Sequence, residues 1–244
     1  MRWLCLIFCL LPFASIHAQQ ENRDSTAEKI ANDVIHAMGG IEQFEETGYI
    51  GWQFFESRQI IWDKLHDRVR VDYLKKKITI IAGLSGNDVK LFMNGSEIHQ
   101  PDSLIKYLNK GKLIWMNDSY WLVMPFKLLE PGVNLKYLGI FKTLDSLNAE
   151  VIELTFNKVG ATPENKYWIY VDPVTHFILQ WDYYDSYNDP QAEFKNIWGN
   201  YEKYGNIFLS DDRGTEGKLS DIHVWDELPE SIFSDMKIPP MSDL

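Results

Sequence analysis

Along most of the chain, apolar residues alternate with polar ones, the period-two pattern of a strand with one buried face. In residues 68–73, for example, Val69, Val71 and Tyr73 alternate with two arginines and an aspartate. After residues 88–93 comes Asn94-Gly95, a strong hairpin signal because both residues tolerate positive φ. The pattern predicts strands at 49–56, 59–63, 68–73, 77–82, 88–93, 134–139, 150–156, 166–171, 177–184, 193–200 and 206–209. Since most of these have no helix between them, we predict an antiparallel meander.

The N-terminal part of the chain has a helical period instead. Apolar residues recur at three- and four-residue spacing from Ala27 to Met38, which predicts a helix over 25–38. Ser25 and Glu28 have the spacing of a capping box, and the two glycines that follow the helix suit its C-terminal end.

A second helix is predicted at about 101–116, opened by Pro101. Strands 50–55 and 177–184 are apolar on both faces, so one sheet face must meet something other than water, such as helices, a second sheet layer or a ligand. Two helices would leave much of a sheet of about ten strands uncovered, and such a sheet would curl. We therefore predict a mainly β (α+β) fold. Its curved antiparallel sheet forms an incomplete barrel, closed on its open side by the N-terminal helix and the mid-chain helix.

The segment 117–132, NDSYWLVMPFKLLEPG, concentrates large apolar side chains before two prolines. Because Pro125 disfavours helical geometry at the residue before it, we interpret the segment as the return from helix to strand beneath the sheet. Its Trp121, Met124 and Phe126 either line a cavity or pack as ordinary core, and the sequence leaves both open.

The first eighteen residues have the layout of a secretory signal: Arg2, an apolar run, and small or polar residues up to Ala18. We expect cleavage after Ala18 and a single domain at 19–244, with its ordered core at about 25–225. No other run is apolar enough to span a membrane. The proline-containing tail from Leu228 predicts an extended, loosely packed end.

Cysteine content and charge exclude several function classes. Cys5 and Cys9 both lie in the predicted leader, without the small residues of a lipidation site before them. The mature chain would therefore form no disulfide, thiolate metal site or cysteine nucleophile. Loss of Arg2 with the leader changes the net charge from −11 to −12, which argues against nucleic acid and anionic lipid surfaces as partners.

No constellation of catalytic or metal-binding residues stands out. The mature histidines, at positions 36, 66, 99, 176 and 223, have no metal-ligand spacing. The acidic run from Asp211 to Glu216 lacks the alternating ligands of a calcium loop and suits a solvated turn. We predict no catalytic residue, no metal and no cofactor.

Three features resemble a known family when taken in order: the helix ending in Gly39-Gly40, the segment NDSYWLVMPFKL from Asn117, and the turn YVDPVT from Tyr170. The chain resembles, over roughly 25–225, a secreted Gram-negative family of unknown function related to the lipoprotein carriers LolA and LolB. That resemblance implies an incomplete barrel whose cavity holds acyl chains. Arg58, Arg68 and Arg70 are candidates for the arginine that such carriers use near their lid.

The two-sided strands and the 121–126 segment together give a candidate apolar ligand site. Its predicted residues are Trp52, Phe54, Trp121, Met124, Phe126, Leu179 and Trp181. This set assumes a strand register, and a one-residue slip would exchange the two faces.

The favoured function is a non-enzymatic periplasmic or secreted binder or carrier of an apolar or acylated ligand. One alternative is a structural or protein-interaction module of the cell envelope whose barrel is filled by its own side chains. A second is an envelope hydrolase. We expect a monomer with the ligand as its partner, an envelope protein as a further candidate partner, and no integral membrane segment after signal removal.

Overall fold

The computed structural model describes residues 22–160 and 162–244. The predicted leader, 1–18, and the predicted new N-terminus at Gln19 lie outside the described residues. The α-helices are α1 (Ser25–Ala37), α2 (Ile41–Glu46) and α3 (Pro101–Val123). The strands are β1 (Tyr49–Phe54), β2 (Arg58–Asp63), β3 (Arg68–Tyr73), β4 (Ile78–Gly83), β5 (Val89–Met93), β6 (Ser96–Glu97), β7 (Val133–Lys142), β8 (Asn148–Phe156), β9 (Lys166–Val171), β10 (Ile178–Tyr184), β11 (Phe194–Ile197), β12 (Gly199–Tyr204), β13 (Ile207–Asp212) and β14 (Leu219–Trp225).

The strands form two main antiparallel sheets that do not close into a barrel. One has the order β14-β1-β2-β3-β4-β5-β6, the other β11-β10-β9-β8-β7, and β12 and β13 form a separate hairpin. In the sequence, helix α3 lies between β1–β6 of the first sheet and β7–β11 of the second. The last strand, β14, pairs with β1 of the first sheet. The predicted fold class is confirmed, although the strands are shared between two sheets where one continuous sheet was expected.

Helix α1 is capped one residue earlier than the sequence predicts. The Asp24 carboxylate accepts a hydrogen bond from the Ala27 backbone N–H at 2.8 Å, and Ser25 is already helical. The capping box with Ser25 was therefore wrong. The second Asp24 oxygen accepts from the backbone N–H of Tyr137, which ties α1 to β7.

Helix α3 lies across β3, β4 and β5 of the seven-stranded sheet. A Cβ atom at Gly111 would come within 3.0 Å of the Ala82 Cβ and 3.1 Å of the Ile80 Cγ2. The helix therefore approaches β4 closely at this glycine. It continues to Val123, seven residues beyond its predicted end.

One continuous apolar core joins the inner faces of both sheets to α1 and α3. Trp52 from β1, Ile152 from β8, Val34 from α1 and Leu122 from α3 all belong to it and are fully buried. The sheets thus share a core with the two helices that the sequence predicts as their covering elements.

The C-terminal tail covers the outer face of the seven-stranded sheet. Ile232 and Phe233 are buried against Tyr49 and Ile61. The Arg70 guanidinium, 1% exposed, donates to the carbonyl oxygens of Ile232, Asp235 and Met236 at 2.6–2.9 Å. The prediction of a loosely packed tail was wrong, because the apolar residues of the tail bury the second apolar face of these strands.

Candidate functional site

A cavity of about 240 Å³ lies between the C-terminal half of α3 and the inner face of the five-stranded sheet. Its other walls come from the turn after α3, the start of β7 and the connection from β8 to β9. The lining residues are Trp115, Met116, Asn117, Ser119, Tyr120, Trp121, Lys127, Glu130, Pro131, Val133, Phe156, Val159, Gly160, Thr162, Tyr167 and Trp181. The cavity is therefore walled by six aromatic side chains with a few polar groups between them.

The long α3 helix is what brings residues 115–121 to the cavity. Pro125 does not shorten the helix, because it lies in a separate 3₁₀ turn, Met124–Lys127, that starts after Val123. Proline at the start of a helical turn loses no hydrogen bond. The interpretation of 117–132 as the return from helix to strand was wrong for 117–123, which belong to α3, and Met124 before the proline is helical where extended geometry was expected.

A buried ion pair fixes this half of α3 to the seven-stranded sheet. The Arg58 guanidinium on β2 donates to both carboxylate oxygens of Asp118, with one Nη2–Oδ1 distance of 2.7 Å. Asp118 is fully buried. Burial raises the pKa of its carboxyl, while the hydrogen bond and charge of Arg58 act in the opposite direction. Of the three arginines considered from sequence, Arg58 contacts the covering helix, whereas Arg68 and Arg70 contact the tail.

A second arginine anchors the helix from the other side. Arg213, fully buried, donates to the backbone carbonyl of Trp121 and lies 3.7 Å over the ring of Trp198. Burial lowers the pKa of its guanidinium to about 9. Together Arg58 and Arg213 set the position of the cavity-facing residues between them.

The aromatic wall is built around Trp181. Its ring packs edge-on to Trp121 at 4.8 Å and to Trp198 at 5.1 Å, and stacks on Tyr167 at 5.2 Å between ring centroids. Tyr120 lies 6.2 Å away on the α3 side. Such contacts give the wall a fixed shape, because aromatic pairs prefer these geometries.

Three polar atoms of the lining residues are buried without a hydrogen-bond partner among the described residues. They are Nε1 of Trp115, Oγ of Ser119 and Nε1 of Trp181. All three can donate, and the two indole nitrogens can only donate. A buried donor without an acceptor is unfavourable, and these three atoms are the buried unpaired polar groups among the described lining residues.

Among the described lining residues, the charged side chains are those of one ion pair, Lys127 and Glu130. Lys127 Nζ lies 3.0 Å from the Glu130 carboxylate, and Glu130 is half exposed. Burial raises the pKa values of the Tyr120 and Tyr167 hydroxyls, and a neighbouring tyrosine raises each further, Tyr167 for Tyr120 and Tyr183 for Tyr167. Both phenols are therefore neutral at physiological pH.

The structure places the seven predicted ligand residues in three environments. Trp121 and Trp181 line the cavity. Four others, Trp52, Phe54, Met124 and Phe126, lie in the continuous core and outside the lining.

The seventh, Leu179, lies on the outer face of its sheet with Trp168 and Tyr170. A register shift between Ile178 and Gln180 places Ile178 and Trp181 on the inner face and Leu179 on the outer one. The assignment of Leu179 and Trp181 to one face was therefore wrong, since a β-bulge interrupts the alternation.

Sequence reasoning missed Trp115, Ser119, Tyr120, Phe156 and Tyr167 as lining residues. Trp115 and Ser119 are four residues apart, which places them on one face of a helix. That signal becomes visible only when α3 is extended past residue 116.

Among the described residues, no group of three or more potential metal ligands of the His, Cys, Asp and Glu types is found. In the acidic run, Asp212 accepts from the backbone N–H of Gly214 and Asp211 from the Asn200 side chain, as in a turn. Within 22–160 and 162–244, no helix has the length and apolar character needed to cross a membrane.

Comparisons with known proteins give matches to solved structures alone. No family model matches the chain. No curated protein matches it either. A DUF1329 family protein from Desulfovibrio piger has 12% sequence identity and a TM-score of 0.47, over 86% of this chain and 99% of that one. A putative outer membrane lipoprotein-sorting protein domain from Vibrio parahaemolyticus has 12% identity and a TM-score of 0.45, over 85% and 96%. These are similarities of fold at low identity, and the carrier relationship inferred from sequence stays a prediction.

Proposed function

We propose that the chain is a non-enzymatic binder or carrier of an apolar or acylated ligand, which it holds in the cavity beneath α3. The observation that supports this most is the aromatic wall around a volume of about 240 Å³. Apolar pockets with a few convergent polar groups are typical ligand sites. The predicted signal layout agrees with a periplasmic or secreted compartment.

The wall is suited to binding because its parts are held rigidly. The Arg58–Asp118 pair and the contact from Arg213 to the Trp121 carbonyl fix α3 on either side of the cavity. When a ligand binds such a site, few protein side chains have to be ordered. The entropic cost of binding is therefore mostly that of the ligand, which favours affinity.

A protein-interaction module is the second candidate, and two observations favour it. Most of the interior is filled by its own side chains, including Trp52 and Phe126. At the hairpin between β7 and β8, Ile140 and Leu144 are 66% and 55% exposed. Apolar groups exposed close together are typical of contact surfaces.

Replacement of Val159 separates the two candidates. Val159 lines the cavity and is 37% exposed, so we expect the larger side chain of Val159→Trp to narrow the cavity and leave the buried core intact. Val174, 82% exposed in the turn before β10, provides the matched control Val174→Trp. We expect the wild type and Val174→Trp to bind the small apolar probe propylbenzene, and Val159→Trp to bind it at least about tenfold more weakly, by calorimetry. Equal affinities in all three, or no binding to the wild type, would contradict the proposed site.

A further inference from the structure

We propose that the ligand is a small neutral molecule with an apolar body and a carbonyl oxygen, such as an ester, ketone or amide. The carbonyl would accept hydrogen bonds from Ser119 and Trp181. This deepens the proposed function and rests on it.

The described part of the cavity wall contains polar atoms without partners. Ser119 and Trp181 are each 1% exposed, and Ser119 Oγ and Trp181 Nε1 have no hydrogen-bond partner among the described residues. Trp115 Nε1 is a third such atom in the lining. Because indole N–H groups donate only, the complementary ligand atom is an acceptor.

The charge of the site favours a neutral acceptor over a carboxylate. Lys127 is the sole cation among the described lining residues, and it already pairs with Glu130 at 3.0 Å. A carboxylate buried beside neutral donors would lose its hydration without gaining a counter-charge, whereas a carbonyl needs none. Glu130 also raises the pKa of the Tyr120 hydroxyl, after burial and Tyr167, so it too acts against a second negative charge.

The volume limits the size of the buried group. A cavity of about 150 Å³ holds a benzene ring, so by proportion about 240 Å³ accommodates about ten non-hydrogen atoms. That is one short chain or one substituted ring. It is far less than the two or three long chains of a membrane lipid.

Three probes of similar size and different head groups test the proposal: propylbenzene, methyl phenylacetate and phenylacetate, titrated at pH 7 by calorimetry. We expect the ester to bind roughly five- to tenfold more tightly than the hydrocarbon, since a net hydrogen bond is worth about that factor. We expect the affinity of the ester to exceed that of phenylacetate by a larger factor than it exceeds that of propylbenzene. Propylbenzene binding as tightly as the ester would overturn the carbonyl assignment and leave the proposed function standing. Tighter binding of phenylacetate would overturn the assignment of a neutral ligand, and binding of none of the probes would overturn both proposals.

Ser119→Ala shows whether the hydroxyl is the donor. The variant should keep the hydrogen bond from Trp181 and lose part of the ester preference, binding methyl phenylacetate roughly two- to fivefold more weakly than the wild type. Its affinity for propylbenzene should stay unchanged, which controls for any change of cavity shape. An unchanged ester affinity, or an equal loss for both probes, would overturn the role of Ser119.

Discussion

At the scale of single residues, Ser119 bears a hydroxyl that its own fold does not satisfy. It is 1% exposed, and its Oγ has no hydrogen-bond partner among the described residues. A residue that served packing alone would be better as alanine, because burying an unpaired hydroxyl is unfavourable. The sequence does not indicate that this hydroxyl is unpaired, because that depends on the residues of other elements that surround Ser119. It also misplaced Leu179, because nothing in the alternation of 177–184 signals the bulge after Ile178.

Stability therefore gives a test of Ser119 that is independent of any ligand. Ser119→Ala should leave the free energy of unfolding unchanged or raise it by up to about 1 kcal/mol, since removal of an unpaired polar group relieves a desolvation penalty. Urea unfolding of the ligand-free protein measures this. The control is Ser210→Ala, because Ser210 Oγ donates to the carbonyl of Gly199 and accepts from Arg213, and its loss should be destabilising. A loss of stability in Ser119→Ala equal to that of the control would show that Ser119 is hydrogen-bonded within the protein.

At the scale of elements, helix α3 and the C-terminal tail were the hardest to predict. A proline at 125 suggested an early helix end, but helical geometry resumes in the 3₁₀ turn that contains it. Three prolines from Pro229 suggested a loose tail, although Phe233 is 3% exposed and packs on Tyr49 at 6.2 Å between ring centroids. In both cases tertiary contacts decide the outcome, and local sequence does not contain them. Helix α1 was predictable because its whole apolar face repeats regularly.

The tail should contribute a large share of the stability of its sheet. Phe233→Ala removes a ring that is buried against Tyr49 and lies beneath the Arg68 guanidinium at 4.3 Å. We expect a loss of about 3 kcal/mol in the free energy of unfolding, as for other buried phenylalanines. The matched control Phe141→Ala, at a position 39% exposed, should cost less than about 1 kcal/mol. Similar small losses in both variants, measured in urea, would indicate that the tail is not docked in solution.

In the whole molecule, most apolar residues form the packed core and a few line the cavity. The two-sided strand 50–55 indicated that solvent alone does not cover both faces of its sheet, and the seven-stranded sheet confirms this. The outer face of the seven-stranded sheet is covered by the tail, and the inner faces share one core with α1 and α3. What remains for a ligand is the volume beside Trp121 and Trp181, smaller than the uncovered sheet suggested. The mainly β class was predictable from period-two alternation. The size of the cavity was not, because it depends on contacts between segments that are distant in the sequence.

The central claim, that this cavity holds an apolar molecule, is tested most directly by what the protein carries. Wild type and Val159→Trp, exported by a Gram-negative host and purified gently, are extracted with organic solvent and the extracts analysed by mass spectrometry. We predict a small neutral apolar compound at up to one molecule per chain from the wild type, and at least about tenfold less from the variant. Equal amounts from both proteins, or none from either, would contradict it.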